Sequence, residues 1–265
     1  MRLPFTKMEG LGNDYLFVDA IARPLSLEHA PAWARRWSDR RFGVGSDGLI
    51  ALLRGDRAPV RMAMWNADGT RGAMCGNGLR CLARFARAGG HVAADAFDVE
   101  TDAGVRRVEL LAGGAVRAQM GAVRAGAPRR LVVDGVDFEI TPADVGNPHA
   151  VMFVADPDAI DVARIGAALQ RHPGFPDGVN VEFVAVAGPD RLRQRTFERG
   201  SGETLACGTG AAAAVVAARA RGLLGEGLAT VALRGGELRV LGPADALAIE
   251  GPARSVFEGV VETGE

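Results

Sequence analysis

The chain has almost no lysine: Lys7 is the only one, and the other 30 of its 31 basic residues are arginine. Enzymes that use pyridoxal phosphate hold that cofactor on a lysine. Lys7 falls in an early strand with no phosphate cradle beside it, so no cofactor is expected. There are only three cysteines, an odd number that does not suit a disulfide framework in 265 residues. The thiols are read as reduced, which places the protein in the cytoplasm. No cysteine or histidine stands at Cys-x-x-Cys or His-x-x-x-His spacing from another, so no metal centre is expected either. Charge of one sign is missing too. A net charge of −1 leaves no footprint for nucleic acid or anionic lipid. The start of the chain, Met1 to Lys7, lacks an apolar core of signal-peptide length. The longest uncharged apolar run, Thr204 to Ala218, is too short to span a bilayer. Neither nucleic acid nor membrane is expected as a partner.

What is present is the composition of an ordinary globular protein, 48% hydrophobic and 24% charged, long enough for one large or two medium domains. Two stretches organise it. Met74-Cys75-Gly76-Asn77-Gly78 and Ala206-Cys207-Gly208-Thr209-Gly210 each set a cysteine before Gly-x-Gly and run into a helix-compatible apolar segment. Glycine lets the backbone turn sharply and leaves amides open to a close ligand. A helix N-terminus carries unpaired N–H groups and partial positive charge, which favours a thiolate and an anion beside it. Cys81 lies inside the first helix among Leu82 and Phe85 and reads as a buried small hydrophobe.

The chain alternates short strands and turns around these two points. Strand-like runs flank Gly10-Leu11-Gly12, with Asn13 and Asp14 at the turn. Ser26 to Arg41 reads as a helix with its arginines, Arg35, Arg36, Arg40 and Arg41, on a solvated face. Arg71, Arg80 and Arg84 are likewise read as solvated charges, and His29, His91 and His172 as surface residues. Gly43-Val44-Gly45-Ser46-Asp47-Gly48 leads into an apolar strand but lacks the Gly-Lys-Ser ending of a phosphate loop, so a nucleotide site is not supported. Three short strands are expected over 97–119, a linker at Ala125-Gly126-Ala127-Pro128, and a further helix from about Asp158 to His172.

The halves correspond. Cys75 and Cys207 stand 132 residues apart, Asn66 and Glu198 each precede their cysteine by nine, and each cysteine follows a strand and a glycine-rich loop. This weak internal duplication predicts α+β architecture, two pseudo-symmetric domains, each a curled, mostly antiparallel sheet wrapped around a central helix. The first domain is placed at 1–120, completed by 254–265, and the second at 121–253. Two thiols on opposed helix ends suit inversion of a carbon centre, one taking a proton as thiolate and one giving a proton as thiol. The amides at the same helix ends suit a carboxylate and the negative charge that develops beside it.

Gly10-Leu11-Gly12-Asn13-Asp14, Asn66-Ala67-Asp68-Gly69, Met74 to Cys81, Gly146-Asn147-Pro148-His149, Asn180 and Glu198 to Gly210 together resemble the diaminopimelate epimerases, in order from Phe5 to about Pro252. The resemblance implies an isomerase of the amino-acid racemase and epimerase class, independent of pyridoxal phosphate. Its small-molecule substrate would be diaminopimelate, with LL- and meso-forms interconverted in lysine and cell-wall precursor biosynthesis. It implies Cys75 and Cys207 as the acid–base pair, with Gly76, Asn77, Gly208 and Thr209 holding the reacting carboxylate. Asn13, Asn66, Asn147, Asn180 and Arg199 would hold the other polar ends of the substrate, and Glu198 and His149 would orient the reacting amine. Arg199 suits a distal carboxylate because its planar fork pairs bidentately. Some members carry glutamine after the aspartate of the Gly-Val-Gly loop; here Gly48 follows Asp47. A homodimer is among the assemblies this reading allows. Its rivals are a proline or hydroxyproline racemase of the same architecture, which favours histidine where Asn77 stands, and a non-catalytic amino-acid-binding thiol protein.

Overall fold

In the computed structural model, which describes residues 1–263, the chain opens with a tight hairpin. Strands β1 (Arg2–Gly10) and β2 (Asn13–Asp19) pair antiparallel with Gly10 opposite Asn13. Leu11 and Gly12 between them both take positive φ, 58° and 82°, the combination of a type I′ turn. A bulky residue rarely adopts that angle. Leu11 is buried there, and the apolar contact offsets the backbone cost.

Two compact units follow from the contacts: Met1–Ala118 together with the chain from Gly251 onward, and Gln119–Glu250. The first continues through α1 (Ala30–Ser38), β3 (Gly48–Arg54), β4 (Val60–Asn66), β5 (Arg71–Gly72), α2 (Gly76–Ala88), β6 (Ala96–Thr101), β7 (Gly104–Leu110) and β8 (Ala115–Gly121). β2 runs parallel to β3 and β4 parallel to β6, while the other pairings are antiparallel. Strands β1, β2, β3, β4 and β7 all pack against α2, so the sheet curls about it. The other face is also covered. Leu16, Val18, Leu49, Ala51 and Ala63 meet α1 there, through Trp33 and Trp37, whose rings stack at 5.3 Å. Burial on both faces accounts for the near-continuous apolar runs of β2 and β3.

The second unit contains β9 (Arg124–Ala125), β10 (Arg129–Val133), β11 (Val136–Asp144), β12 (Pro148–Phe153), α3 (Val162–Gln170), β13 (Asn180–Gly188), β14 (Arg191–Glu198) and β15 (Gly202–Thr204). It closes with α4 (Gly208–Ala220), β16 (Ala229–Leu233), β17 (Gly236–Leu241) and β18 (Leu247–Pro252). Its sheet curls about α4, which touches β9, β11, β12, β13, β14, β16 and β17. Every residue of α4 from Gly208 to Ala218 is buried, as an all-apolar helix requires. Finally β19 (Arg254–Glu262) rejoins the first unit antiparallel to β1, from Arg2 opposite Glu262 to Glu9 opposite Arg254. The last two residues of the segment 254–265 lie outside the described residues.

The duplication is visible in strand register. Leu49 faces Trp65 as Val181 faces Phe197, and Trp65 faces Arg71 as Phe197 faces Glu203. Val60 lies beside Val99 in parallel as Leu192 lies beside Val231. Each second pair is the first displaced by 132 residues, the same displacement as the cysteines, and α2 and α4 are both 13 residues long. The mixed, mostly antiparallel sheet curled about one helix, expected from sequence, is therefore found in each unit.

Helix ends depart from expectation. α1 is shorter than Ser26–Arg41, because Asp39 Oδ1 accepts the Arg41 and Phe42 amides at 2.7 Å each and turns the chain out. α3 starts at Val162, not Asp158, since Asp161 caps the Arg164 amide and residues 157–159 form a separate 3₁₀ turn. Residues 125–128 are not an open linker: Ala125 pairs with Ala143, and the Gly126 amide donates to the Pro142 carbonyl.

Candidate active site

Cys75 is the N-cap of α2 and Cys207 the N-cap of α4, in almost the same backbone conformation (φ −129°, ψ 123° and φ −123°, ψ 112°). Each sulfur accepts the amide three residues on, Gly78 at 3.5 Å and Gly210 at 3.3 Å. The sequence folds this way because a small polar side chain in extended conformation satisfies an orphan helix amide, and the glycines leave room above it. A methyl group on Gly210 would stand 2.6 Å from Glu182 Oε1.

Around Cys75, β1 and β2 deliver Asn13 from the opening hairpin. Cys75 Sγ donates to Asn13 Oδ1 at 3.4 Å, and Asn77 Nδ2 donates to the same oxygen at 3.3 Å. The Asn13 amide nitrogen donates to Asp47 Oδ2 at 2.6 Å. Asp47 belongs to a four-charge cluster with Asp14, Lys7 and Arg40. Burial holds the Asp47 carboxyl above its ordinary value, although the Asp14 amide opposes the rise that the Asp14 charge adds to; Asp14 itself, against the cost of burial, is held low by Arg40 and Lys7. Asn66 stands apart from this group, its amide donating to Thr70 Oγ1 at 2.9 Å.

Around Cys207, the thiol is buried, 3.4 Å from Thr209 Oγ1. Burial is the main force holding the Cys207 thiol well above its ordinary value, and the charges of Glu198 and Glu182 push the same way. Thr209 and the Gly210 amide oppose the rise without cancelling it. The sulfur therefore keeps its proton at neutral pH. The Glu198 carboxyl is also held high by burial, while accepting from Thr204 Oγ1 at 2.5 Å and bonding Cys207. Behind them His149 Nδ1 and Glu182 Oε1 sit 2.8 Å apart, both side chains wholly inaccessible to water. His149 Nε2 faces Asn147 Oδ1 at 3.0 Å. Asn180 is buried, its Oδ1 accepting the Arg199 amide at 2.8 Å and its Nδ2 donating to the Pro148 carbonyl. The Arg199 guanidinium is exposed and donates to the Asp177 carbonyl.

In the first unit, then, Asn13, Cys75, Gly76 and Asn77 form one cluster; in the second, Asn147, His149, Glu198, Cys207, Gly208 and Thr209 form another. Register makes Asn66 the counterpart of Glu198, as β4 and β14 superimpose at the 132-residue displacement. Three residues given no place in the site from sequence matter here. Glu182 is a lone acid in the apolar run Val181 to Val186, a signal that was available. Asp47 holds Asn13. Arg80, expected in solvent, is fully buried, because it points along α2 under the returning chain and not outward. His91, expected at the surface, is partly buried against Asp19 at 2.7 Å.

Among the described residues, no group of three or more His, Cys, Asp or Glu side chains is placed to hold a metal ion, and no helix is long and apolar enough to cross a membrane. The sequence model of the family described as diaminopimelate epimerase matches residues 5–125 and 141–251. A diaminopimelate epimerase of Desulfitobacterium hafniense is 43% identical over 278 residues, covering 98% of each chain. One of Leptospira biflexa is 39% identical over 282 residues, covering 99% of this chain and all of that one. Among solved structures, a hydroxyproline epimerase of Agrobacterium vitis with bound trans-4-OH-L-proline has a TM-score of 0.72 over 98% of this chain and 92% of that one. At 17% identity that likeness is of fold alone. Both cysteine-capped helices lie within the matched segments, and relatives near 40% identity span almost the whole length: the chain belongs to the diaminopimelate epimerase family.

Proposed function

We infer that this protein interconverts LL- and meso-2,6-diaminopimelate by transferring protons at one α-carbon between two cysteines, without pyridoxal phosphate. The observation that carries this reading is the repeated cysteine cap. The same sulfur-to-amide geometry recurs at the same place in a duplicated register, within a sequence matched to the family over residues 5–125 and 141–251.

One sulfur, as thiolate, takes the α-proton, and the C–H electron pair remains on carbon, delocalised into the carboxylate. The other sulfur, as thiol, gives its proton to the opposite face. Nothing is consumed, and the two sulfurs exchange protonation states. Burial keeps a proton on Cys207, which suits it to deliver first; Cys75 abstracts once the proton it directs at Asn13 Oδ1 has passed to solvent. Amides at Gly76, Asn77, Gly208 and Thr209, at positive helix ends, stabilise the carboxylate as charge builds on it. Asn13, Asn66, Asn147, Asn180 and Arg199 hold the distal groups, and Glu198 and His149 orient the amine. Three thiols in a chain of this length suit the reducing cytoplasm.

The test is a chiral assay of cofactor-free protein in deuterated water, with LL-diaminopimelate beside L-proline. The expected result is meso-product with α-deuterium from the first substrate and none from proline. Racemised proline with diaminopimelate untouched would overturn the assignment. Cys75→Ala and Cys207→Ala should each abolish turnover, and full turnover in either would defeat the two-base reading.

A further inference from the structure

Among the described residues Arg80 is the largest side chain that is wholly out of water. It lies one turn into α2, and all its hydrogen-bond partners are neutral. Nη2 donates to Asn77 Oδ1 at 2.9 Å, Nη1 to the Gly76 carbonyl at 3.3 Å and Nε to the Pro252 carbonyl at 3.3 Å. No carboxylate among the described residues lies within ion-pair distance of it; Glu9, on β1, acts on it at longer range. Burying a guanidinium without an anion is costly. Desolvation lowers its pKa from the ordinary value, yet arginine stays protonated in proteins.

The position of this cation settles two amides. Arg80 offers only donors, so the Asn77 oxygen turns to it and the Asn77 nitrogen turns to Asn13. At the other end Asp47, an acceptor, takes the Asn13 nitrogen. The Asn13 oxygen is thereby left facing Asn77 and the Cys75 sulfur. Turning either amide over would set donor against donor or acceptor against acceptor. We propose that Arg80 is a positioning residue for proton transfer at Cys75, fixing Asn77 and Asn13 so that one amide oxygen addresses the sulfur while a buried cation stands beside it. This rests on the reading of Cys75 as an acid–base group.

Several charged and titratable groups of the first unit surround Cys75. α2 supplies Arg80 and Cys81, and β1 supplies Glu9, which faces Arg254 of β19 at 3.7 Å. Through Asn13, the hairpin and its neighbouring loop supply Asp47, Asp14, Lys7 and Arg40. Burial pushes the Cys81 thiol up to about 12, so it stays protonated. Removing the Arg80 charge takes away a stabiliser of a Cys75 thiolate, so Cys75 would titrate at higher pH.

Arg80→Lys and Arg80→Met in the full chain test this. Three quantities are measured: melting temperature, the pH dependence of Cys75 alkylation by iodoacetamide without substrate, read by peptide mass spectrometry, and kcat and KM. Arg80→Met is expected to raise the alkylation midpoint by about one pH unit and lower kcat about tenfold or more. Arg80→Lys should keep the midpoint within a few tenths of a unit, because the charge remains. It should still lose kcat, because one ammonium cannot hold Asn77, Gly76 and Pro252 in the guanidinium geometry. Parental midpoint and parental kcat in both folded variants would overturn the proposal, as would activity that falls only with the folded fraction. If Arg80→Met does not fold, Arg80→Lys decides: lost kcat at an unchanged melting temperature supports the role, and unchanged kcat removes it. Alkylation is read without substrate, so failure here is separable from failure of the diaminopimelate assignment, which the parent protein reports.

Discussion

A methyl group on Gly48 would stand 2.2 Å from the Trp65 carbonyl oxygen and 3.2 Å from Asn66 Cα, because β3 and β4 pair closely where the loop enters the sheet. Glutamine at this position is therefore not a neutral exchange. Gly48→Gln is expected to cost about 1–3 kcal/mol, measured by urea denaturation, with activity lost through displacement of Asn66. A second residue acts through protonation. The Cys81 thiol, pushed up to about 12 by burial, titrates near 8.5 when unfolded. Its contribution to stability is complete below about pH 8.5 and is lost as pH climbs toward 12, amounting to about 5 kcal/mol over that span. Cys81→Ala should flatten the fall of the urea midpoint between about pH 9 and 11. An unchanged slope would show that the thiol is not buried as described. At this scale sequence was informative for residue types with a single use, such as cysteine before Gly-x-Gly. It was poor for arginine, because residue type does not say which of several arginines on a helix the returning chain will cover. Arg80 and Arg87 are both on α2; one is sealed beneath Pro252 and the other, paired with Asp95, is open to solvent.

Elements were legible where their signals were local. The glycine hairpins, the strand over β13 and the two cysteine-led helices all follow from residues adjacent in sequence. Helix ends did not, because Asp39 and Asp161 decide them by side-chain bonds to amides two or three residues on. Such a side chain competes with helical bonding, and propensity alone does not choose between them. The composition of α4 has a mechanical meaning. Seven alanines in its 13 residues let seven strands approach one helix, and larger side chains would hold the sheet off. Ala213→Leu, at a site with no exposed surface, is expected to destabilise the protein by about 1–3 kcal/mol through overpacking. Thermal denaturation beside the wild type would measure this, and a neutral result would mean that the sheet around α4 has slack.

Each unit draws on the chain differently. Residues 119–250 form a continuous segment, whereas the first unit needs β19 to pair β1. A fragment of residues 119–250 is expected to unfold cooperatively in urea with far-ultraviolet dichroism of a mixed fold. Residues 1–118 alone should not, since β1 would present a bare edge and Leu3 and Phe5 would lose Val261 from their core. Cooperative unfolding of the shorter fragment would contradict this. The duplicated register was only partly readable, because the cysteine spacing announces it but the partner of each strand depends on contacts far apart in the chain.

The meeting of Met1 with Thr263, through the terminal amine and the threonine hydroxyl at 3.0 Å, has a consequence for biosynthesis. A ribosome delivers β1 well before its partner β19, with the whole second unit made in between. β1 must therefore wait for its partner, its apolar side exposed, while the later-made second unit is free to mature ahead of it. Chaperone capture during translation should fall mainly on the opening segment.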